Sequence, residues 1–489
     1  MGYDAAIIGA GAEGLAAAAL LGRFGAKTIL IERSDRVGGR LVTREFHPGF
    51  RVSPFADELP AIPAPIHWAL DLTRRGTTFL PVHRSLALWP DGKSEIDFRS
   101  DAPAARLLRQ SADAAALGVA RAMAPQPRSP VQFAFQLPRR SSASWPRAEP
   151  SSRPLADVIG NWVRDPRDAA HLAAIALMGR AGDPTAGGSA AHLLAPGYGG
   201  GGIVLGGHGR LADALLDAAR AFGVEISLGL EASEIRRAGR KTLQVILADG
   251  STHEARAVIS TLDLKRTFLS LFPWNVLPST LVRRVGLYRF AGATGRVLFA
   301  LARRPDCAEP GQLHKPIHVR PDMQKLAAAH ESWRMGSMAA ETQEVLRVPS
   351  ALDPSLAPRG AAVMTVTFGA GPCRPFDGAW TEERRRALCS RALYAAEQVW
   401  PGVRGTVLHA EAIVPADIEE ALGASEGDLD GGEIAPDQLF DLRPWPECPR
   451  TPIRGLYLGG RSASASVLGT CAAGAAAAQC VLADLRRLS

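Results

Sequence analysis

The first thirty-two residues constrain this chain more than any other stretch. Tyr3-Asp-Ala-Ala-Ile-Ile8 has the short apolar run of a buried strand. Gly9-Ala-Gly11-Ala-Glu-Gly14 follows at once, then an apolar helix over Leu15 to Phe24 and a second strand, Lys27 to Ile31, ending at Glu32. Strand, GxGxxG, helix, strand and acid in this order make a dinucleotide-binding unit. Gly9 permits the tight turn, Gly11 lets the backbone approach a pyrophosphate, and Gly14 draws the helix against the strand. The helix N-terminus offers N–H groups and a partial positive charge to the phosphates. Glu32, eighteen residues past Gly14, is placed to take both ribose hydroxyls of an adenosine. Its carboxylate would repel a 2′-phosphate, so NADP is disfavoured.

Glu32 is succeeded by Arg33-Ser-Asp-Arg-Val-Gly38-Gly39-Arg40. A second glycine turn lets the chain pass close beneath an extended flavin dinucleotide, and an arginine there can hydrogen-bond phosphate or flavin oxygens. The acid followed by Gly-Gly-Arg resembles the extended fingerprint of the FAD-binding amine oxidase and phytoene desaturase superfamily. The resemblance implies an α/β chain: a Rossmann-like FAD-binding domain of the GR2 type with an inserted α+β substrate domain. The pyridine nucleotide-disulphide reductases need a redox-active cysteine pair near this point, and the first cysteine here is Cys307. That reading is excluded.

Further stretches carry the resemblance. Thr43 to Phe50 is similar to the strand after the FAD turn in phytoene desaturase-like oxidoreductases, and Leu205 to Leu215 to the Gly-Gly-x-Gly-x-Leu loop and helix. Glu231 to Asp263 resembles the middle FAD-domain segment, in which Ala232 matches the position that contacts adenine. Val348 to Gly360 and Gly431 to Pro444 resemble a branch found in bacteria and animal mitochondria that carries the pyridine nucleotide-disulphide oxidoreductase domain label. Gly455 to Gly460 reads as a last strand entering a glycine turn, ahead of an uncharged helix from about Gly469. This is similar to the family's final FAD motif, whose helix N-terminus points at the flavin pyrimidine. Where the family has His-Pro-Gly-Gly-Gly, this chain has Ser464-Ala-Ser-Val-Leu468, which implies altered redox tuning or substrate space. The cofactor contacts implied, all to FAD, are Gly9, Gly11, Gly14, Glu32, Arg33, Gly38, Gly39, Arg40, Ala232, Gly459, Gly460 and Leu468.

A second glycine cluster, residues 197–212, satisfies GxGxxG at Gly197 and GxGxxA at Gly207. A separate NAD domain would need a solid buried strand ahead of it, and His192 to Tyr198 contains a proline and a glycine. A crossover returning to the FAD sheet is the expectation. His208 in this loop is a candidate to approach a flavin edge, with a structural histidine as the alternative.

The 489 residues are too many for one ordinary core. The expected division is 1–74, 192–263 and 438–489 for the FAD domain, and 75–191 with 264–437 for the substrate domain. Apolar residues at 46% and charged residues at 21% exclude wholesale disorder. Basic residues outnumber acidic ones, 56 to 49, yet only six are lysines, and the arginines are spread without interleaved aromatics. No nucleic acid partner is expected. The six cysteines form no CxxC pair, which fits a reducing, cytoplasmic setting. Ala463 to Ala483 is uncharged but built of small residues, and is expected to be a packed helix rather than a membrane span. Leu281 to Phe290, with Arg283, Arg284 and Arg289, is a candidate for peripheral membrane contact.

Without hydrolase or metal-site patterns, the hard chemistry is assigned to the flavin. Three readings stay open. The first is a phytoene desaturase-like dehydrogenase acting on a lipophilic substrate, for which Leu269 to Pro278 offers either tunnel lining or ordinary core. The second is a flavin amine oxidase, and the third a redox-neutral FAD-binding protein. No catalytic side chain is singled out.

Overall fold

The computed structural model describes residues 2–111, 152–194, 201–239, 241–307, 309–438, 449–463 and 469–486. Its framework is two seven-stranded sheets. In the first, Tyr3–Ile8 lies between Thr28–Ile31 and Thr252–Ser260, parallel to both. Glu225–Ser227 extends the parallel set beyond Thr28–Ile31, and Leu456–Leu458 extends it beyond the C-terminal half of Thr252–Ser260. Ala232–Arg237 and Leu243–Leu247 close into an antiparallel meander with the other half of that strand. The strands of this sheet therefore come from three separated stretches of chain.

Burial on both faces explains the apolar run with which the chain opens. Ala5 and Ile7 face the helices Ala12–Arg23, Gly209–Ala221 and Ala472–Leu485. Ala6 and Ile8 face the opposite core, with Ile235, Val245 and Phe268. A parallel sheet covered on both sides needs this pattern, since successive side chains alternate faces. The helix Ala472–Leu485 is buried along most of its length by small residues, including Ala472, Ala473, Ala475 and Ala476 at 0% exposure. Small side chains let it pack close to Ala12–Arg23. No helix among the described residues is long and apolar enough to cross a membrane.

The second sheet runs in the order Val407–Ile413, Gly295–Leu301, Ala362–Phe368, Glu344–Arg347, Ile317–Val319, Arg84–Trp89 and Gly92–Asp97. All its pairs are antiparallel except Ile317–Val319 with Arg84–Trp89. Alternation again sets the two faces. Val297, Phe299 and Leu301 pack with Met364, Val366 and the helix Glu382–Val399. The opposite face carries Leu298, Ala300 and Val363 at one end and polar residues at the other.

Of the two readings of Leu269 to Pro278, ordinary core fits its buried members: Leu271, Phe272 and Leu277 lie in the core beneath the first sheet, while Trp274 is 90% and Val276 60% exposed. One expectation is corrected. The first helix begins at Ala12 rather than Leu15, because Gly11 is its N-cap and no side chain caps it.

Candidate functional site

The two glycine turns near the N-terminus form one cradle. The Gly38 N–H donates to the Ala10 carbonyl at 2.9 Å, and Gly11 and Gly38 form a parallel bridge. Gly9 has φ +98°, and a Cβ there would meet the Thr261 hydroxyl at 2.4 Å. At Gly14 a Cβ would stand 1.8 Å from the Gly9 carbonyl oxygen, so only glycine allows this helix–strand contact. At Gly11 a Cβ would meet nothing within 4 Å. The glycine needed for packing and the glycine left facing open space are thus separated by three positions. The Gly39 Cβ position lies 3.3 Å from Gly11 Cα, so the second turn walls the first.

Glu32 closes the cradle. Its Oε2 accepts the Ala10 N–H at 2.7 Å and its Oε1 accepts the Ser34 N–H at 2.9 Å. Each carboxylate oxygen retains a lone pair for a ribose hydroxyl. The Leu230 N–H donates to the Glu32 carbonyl at 3.1 Å, bringing the start of Ala232–Arg237, with Ala232, toward the same rim. Gly459 and Gly460 follow the strand Leu456–Leu458, where a Cβ would strike Ile259 and the Thr261 carbonyl. Arg33 is directed elsewhere. Its Nη2 donates to the carbonyls of Glu420 and Ala421, both at 2.8 Å, in the last turn of the helix Pro415–Leu422. Leu468 and the Ser464–Leu468 turn lie outside the described residues.

The resemblance implies a closing helix whose N-terminus points at the flavin pyrimidine. At that N-terminus Glu13 accepts the N–H groups of Cys471 and Gly474 at 3.1 and 2.9 Å. Burial pushes the Glu13 carboxyl above its ordinary value, against the opposing pull of those N–H groups and Arg461.

At the second glycine cluster, Asp353 accepts from the N–H groups of Gly206 and Gly207 at 2.7 and 3.2 Å. Ser53 takes the His208 N–H and Thr43 the Gly209 N–H. The helix Gly209–Ala221 then leads into Glu225–Ser227 of the first sheet. These donors are spent on the protein itself, as a crossover requires. His208 is buried, pushed down to about 3 by burial and the nearby Arg296, and lies outside the cavity lining.

Between the sheets lies a cavity that sequence reasoning missed. The first-sheet side supplies Arg40 and Arg461, and the second sheet supplies Ser85, Arg296, His318, Arg347 and Thr367. Asp57 and Glu58 enter from the chain after Phe50–Val52. Five arginines and three carboxylates line it. Asp57 lies 2.6 Å from Arg296 Nη2 and accepts from the hydroxyls of Thr365 and Thr367. Burial alone would raise the Asp57 carboxyl, but Arg296 and Arg347 hold it below its ordinary value. Arg180 grips Asp430 through Nε at 2.8 Å and Nη2 at 3.2 Å. Burial, with Arg461 nearby, lowers the Arg40 guanidinium. Its Nη1 donates to the Leu429 carbonyl at 3.2 Å, and its Nε has no hydrogen-bond partner.

A buried hydrogen-bonded chain leaves the cavity wall. Ser85 Oγ lies 2.9 Å from His171 Nε2, and His171 Nδ1 lies 3.0 Å from Ser94 Oγ. Ser94 donates its single proton to Asp168 Oδ1 at 2.6 Å. The imidazole must then donate from Nδ1 to Ser94, leaving Nε2 to accept from Ser85. Burial alone pushes His171 down to about 3, so the ring is neutral.

The cradle fits FAD: Gly11 faces open space, Glu32 keeps acceptor capacity, and the buried Arg40 Nε lacks a partner. Fold and cradle together define an FAD-dependent oxidoreductase built on a Rossmann-like sheet with a second, substrate-side sheet. The chain belongs to the Flavin containing amine oxidoreductase family, matching it over residues 14–396. It is 28% identical over 549 residues to the pyridine nucleotide-disulfide oxidoreductase domain-containing protein 2 of Rattus norvegicus, covering 99% of this chain and 94% of that protein. It is 26% identical to the lycopene-forming phytoene desaturase of Pseudescherichia vulneris over 287 residues, 58% of this chain and 56% of that one. A redesigned putrescine oxidase shares the fold, with a TM-score of 0.63 at 15% identity, covering 100% and 99% of the two chains. No group of His, Cys, Asp and Glu among the described residues could hold a metal ion.

Proposed function

We propose that this oxidoreductase is a phytoene desaturase-like dehydrogenase acting on a C–H bond of a largely apolar, non-amine substrate in the cavity between the sheets. The observation that carries this reading is the cavity lining. Phe55, Phe98, Ile175 and Met178 offer apolar surface, while five arginines against three carboxylates repel an ammonium group. The cavity wall is mixed, so the lipophilic part of the substrate meets these four side chains within a polar surround.

Dehydrogenation breaks one C–H bond with its electron pair and releases a proton from the neighbouring atom. The chemistry supplied by bound FAD is acceptance of that hydride. Gly9 to Gly14, Glu32 and Gly38 to Arg40 would hold the cofactor. The chain Ser85, His171, Ser94 and Asp168 is oriented to carry the proton away. A proton arriving at Ser85 Oγ displaces the hydroxyl proton onto His171 Nε2. The Nδ1 proton passes to Ser94, and the Ser94 proton to Asp168.

The absorbance spectrum of purified protein, followed by anaerobic titration with prenyl, polyene, acyl and amine compounds, tests the reading. Bleaching of the flavin by a non-amine substrate is expected. Bleaching by amines alone would establish the amine oxidase reading instead. Protein that releases no FAD on denaturation would leave a scaffold role.

A further inference from the structure

Arg347 is the most unevenly partnered cation in the cavity. It closes the strand Glu344–Arg347 and is 8% exposed. Its Nη1 donates to Glu58. Its Nη2 meets only the Met178 sulphur, at 3.6 Å, and its Nε has no hydrogen-bond partner, with the nearest Asp57 oxygen at 3.9 Å. The neighbouring Arg296 differs: its Nη1 donates to the carbonyls of Ser53 and Pro54, and its Nη2 pairs with Asp57. One whole edge of Arg347, Nε with Nη2, therefore lacks an oxygen acceptor.

A buried donor without an acceptor is unfavourable, and more so when charged, so this edge favours a ligand that supplies oxygens. Two parallel N–H groups on one guanidinium edge match the two oxygens of a carboxylate, and a lysine cannot reproduce that geometry. Glu58 holds the far side of the guanidinium and fixes which edge is presented. Met178, beside that edge, joins Phe55, Phe98 and Ile175 in the lining, so an apolar chain has a surface next to the same donors.

We propose that the substrate carries a carboxylate, and that the Nε–Nη2 edge of Arg347 binds it bidentately and orients the attached apolar chain. The inference rests on the function proposed above and names its substrate class. Arg347 is in this account a specificity-determining residue. A cation in the cavity wall disfavours an ammonium group beside it, so an amine would bind this edge less well than a carboxylate.

Calorimetric titration of the FAD-loaded protein with decanoate, decanamide and decylamine, alongside the flavin absorbance spectrum, tests it. Decanoate is expected to bind at least tenfold more tightly than either analogue and to perturb the flavin spectrum. Arg347→Lys should weaken decanoate tenfold or more while leaving FAD occupancy unchanged. Because loss of Arg347 strands Glu58, the paired variant Arg347→Met with Glu58→Gln removes both charges, and it should also lose decanoate binding. Decylamine or decanamide binding as tightly as decanoate would overturn the proposal, as would undiminished decanoate affinity in both variants. Decanoate binding that depends on Arg347 but leaves the flavin spectrum unmoved would count against the function proposed above while leaving the Arg347 contact in place. Protein that purifies without FAD sinks the oxidoreductase reading alone, since titration of that protein still reports on Arg347.

Discussion

Glu13 Oε2 accepts the backbone N–H of Gly474 at 2.9 Å, joining residues 461 positions apart. The same carboxylate accepts from Cys471, which holds the left-handed φ of +70° rarely adopted by a side-chain-bearing residue. A variable position of the GxGxxG motif thus fixes the entry to the last helix. Hydrogen bonds to charged groups contribute about 1.5–3 kcal/mol each, so Glu13→Ala should lower the denaturation midpoint clearly. Glu13→Gln, which keeps one acceptor, should lose less. Its carboxyl is raised in the fold, so wild type gains stability relative to Glu13→Gln as pH falls toward 4.5. Chemical denaturation across pH reads both effects; identical midpoints for all three proteins would discard this role.

The cradle glycines separate packing from binding. Gly14→Ala drives a Cβ into the Gly9 carbonyl, and overpacking of this kind costs about 1–3 kcal/mol or more. Gly11→Ala meets open space. It should melt like wild type in the flavin-free form yet retain less FAD. Melting curves paired with flavin content per chain distinguish the two, and equal FAD retention by Gly11→Ala would count against the close approach.

Acid should unfold this protein early. Burial pushes His171, His192 and His208 down to about 3 from an ordinary 6.5. The folded chain excludes protons that the unfolded chain binds, so their contribution is complete above pH 6.5 and falls as pH drops below it. Each costs about 1.4 kcal/mol per pH unit over that window. Denaturant midpoints at pH 7, 6 and 5 should decline progressively; a flat profile would place these rings in water.

Asp57 should tolerate replacement poorly. Asp57→Ala leaves Arg296 buried without its carboxylate, and breaking a buried pair costs about 3–5 kcal/mol. Adding Arg296→Met should recover part of that loss, which a double-mutant cycle by denaturation measures.

Proton release through Ser94 is separately testable. Ser94→Ala breaks the chain between His171 and Asp168 without touching the cavity wall. Flavin reduction by a turned-over substrate should slow, and its solvent isotope effect should change. Unchanged values would make the chain a structural network only.

The nucleotide half was legible because its signals are local. Glycine spacing, buried strands and a terminal acid lie within residues 3 to 40, and each reports a nearby steric or electrostatic demand. The cavity was not. Arg296 and Arg347 are single charges within apolar strands, Gly295–Leu301 and Glu344–Arg347, and their meaning depends on which face they occupy. Strand alternation offered one clue, since Arg296 falls opposite Val297 and Phe299. Which faces meet across the cavity is set by strand pairings such as Arg296 with Thr367, far apart in sequence, and Arg347 with Thr365 on the next strand along the chain. The Arg33 side chain shows the same distance effect: the carbonyls it meets, of Glu420 and Ala421, lie 387 and 388 positions away.

The clasp between Glu13 and the closing helix also bears on the order of events during synthesis. The strand Leu456–Leu458 and the helix after it leave the ribosome long after the GxGxxG loop, yet they complete the sheet beside it. Until they emerge, Ala16, Ala19 and the rest of the first helix's packed face lack their last partner. Such long-range completion slows folding and exposes apolar surface meanwhile. The packed face of the first helix is therefore open to other apolar surfaces until the closing segment has been made.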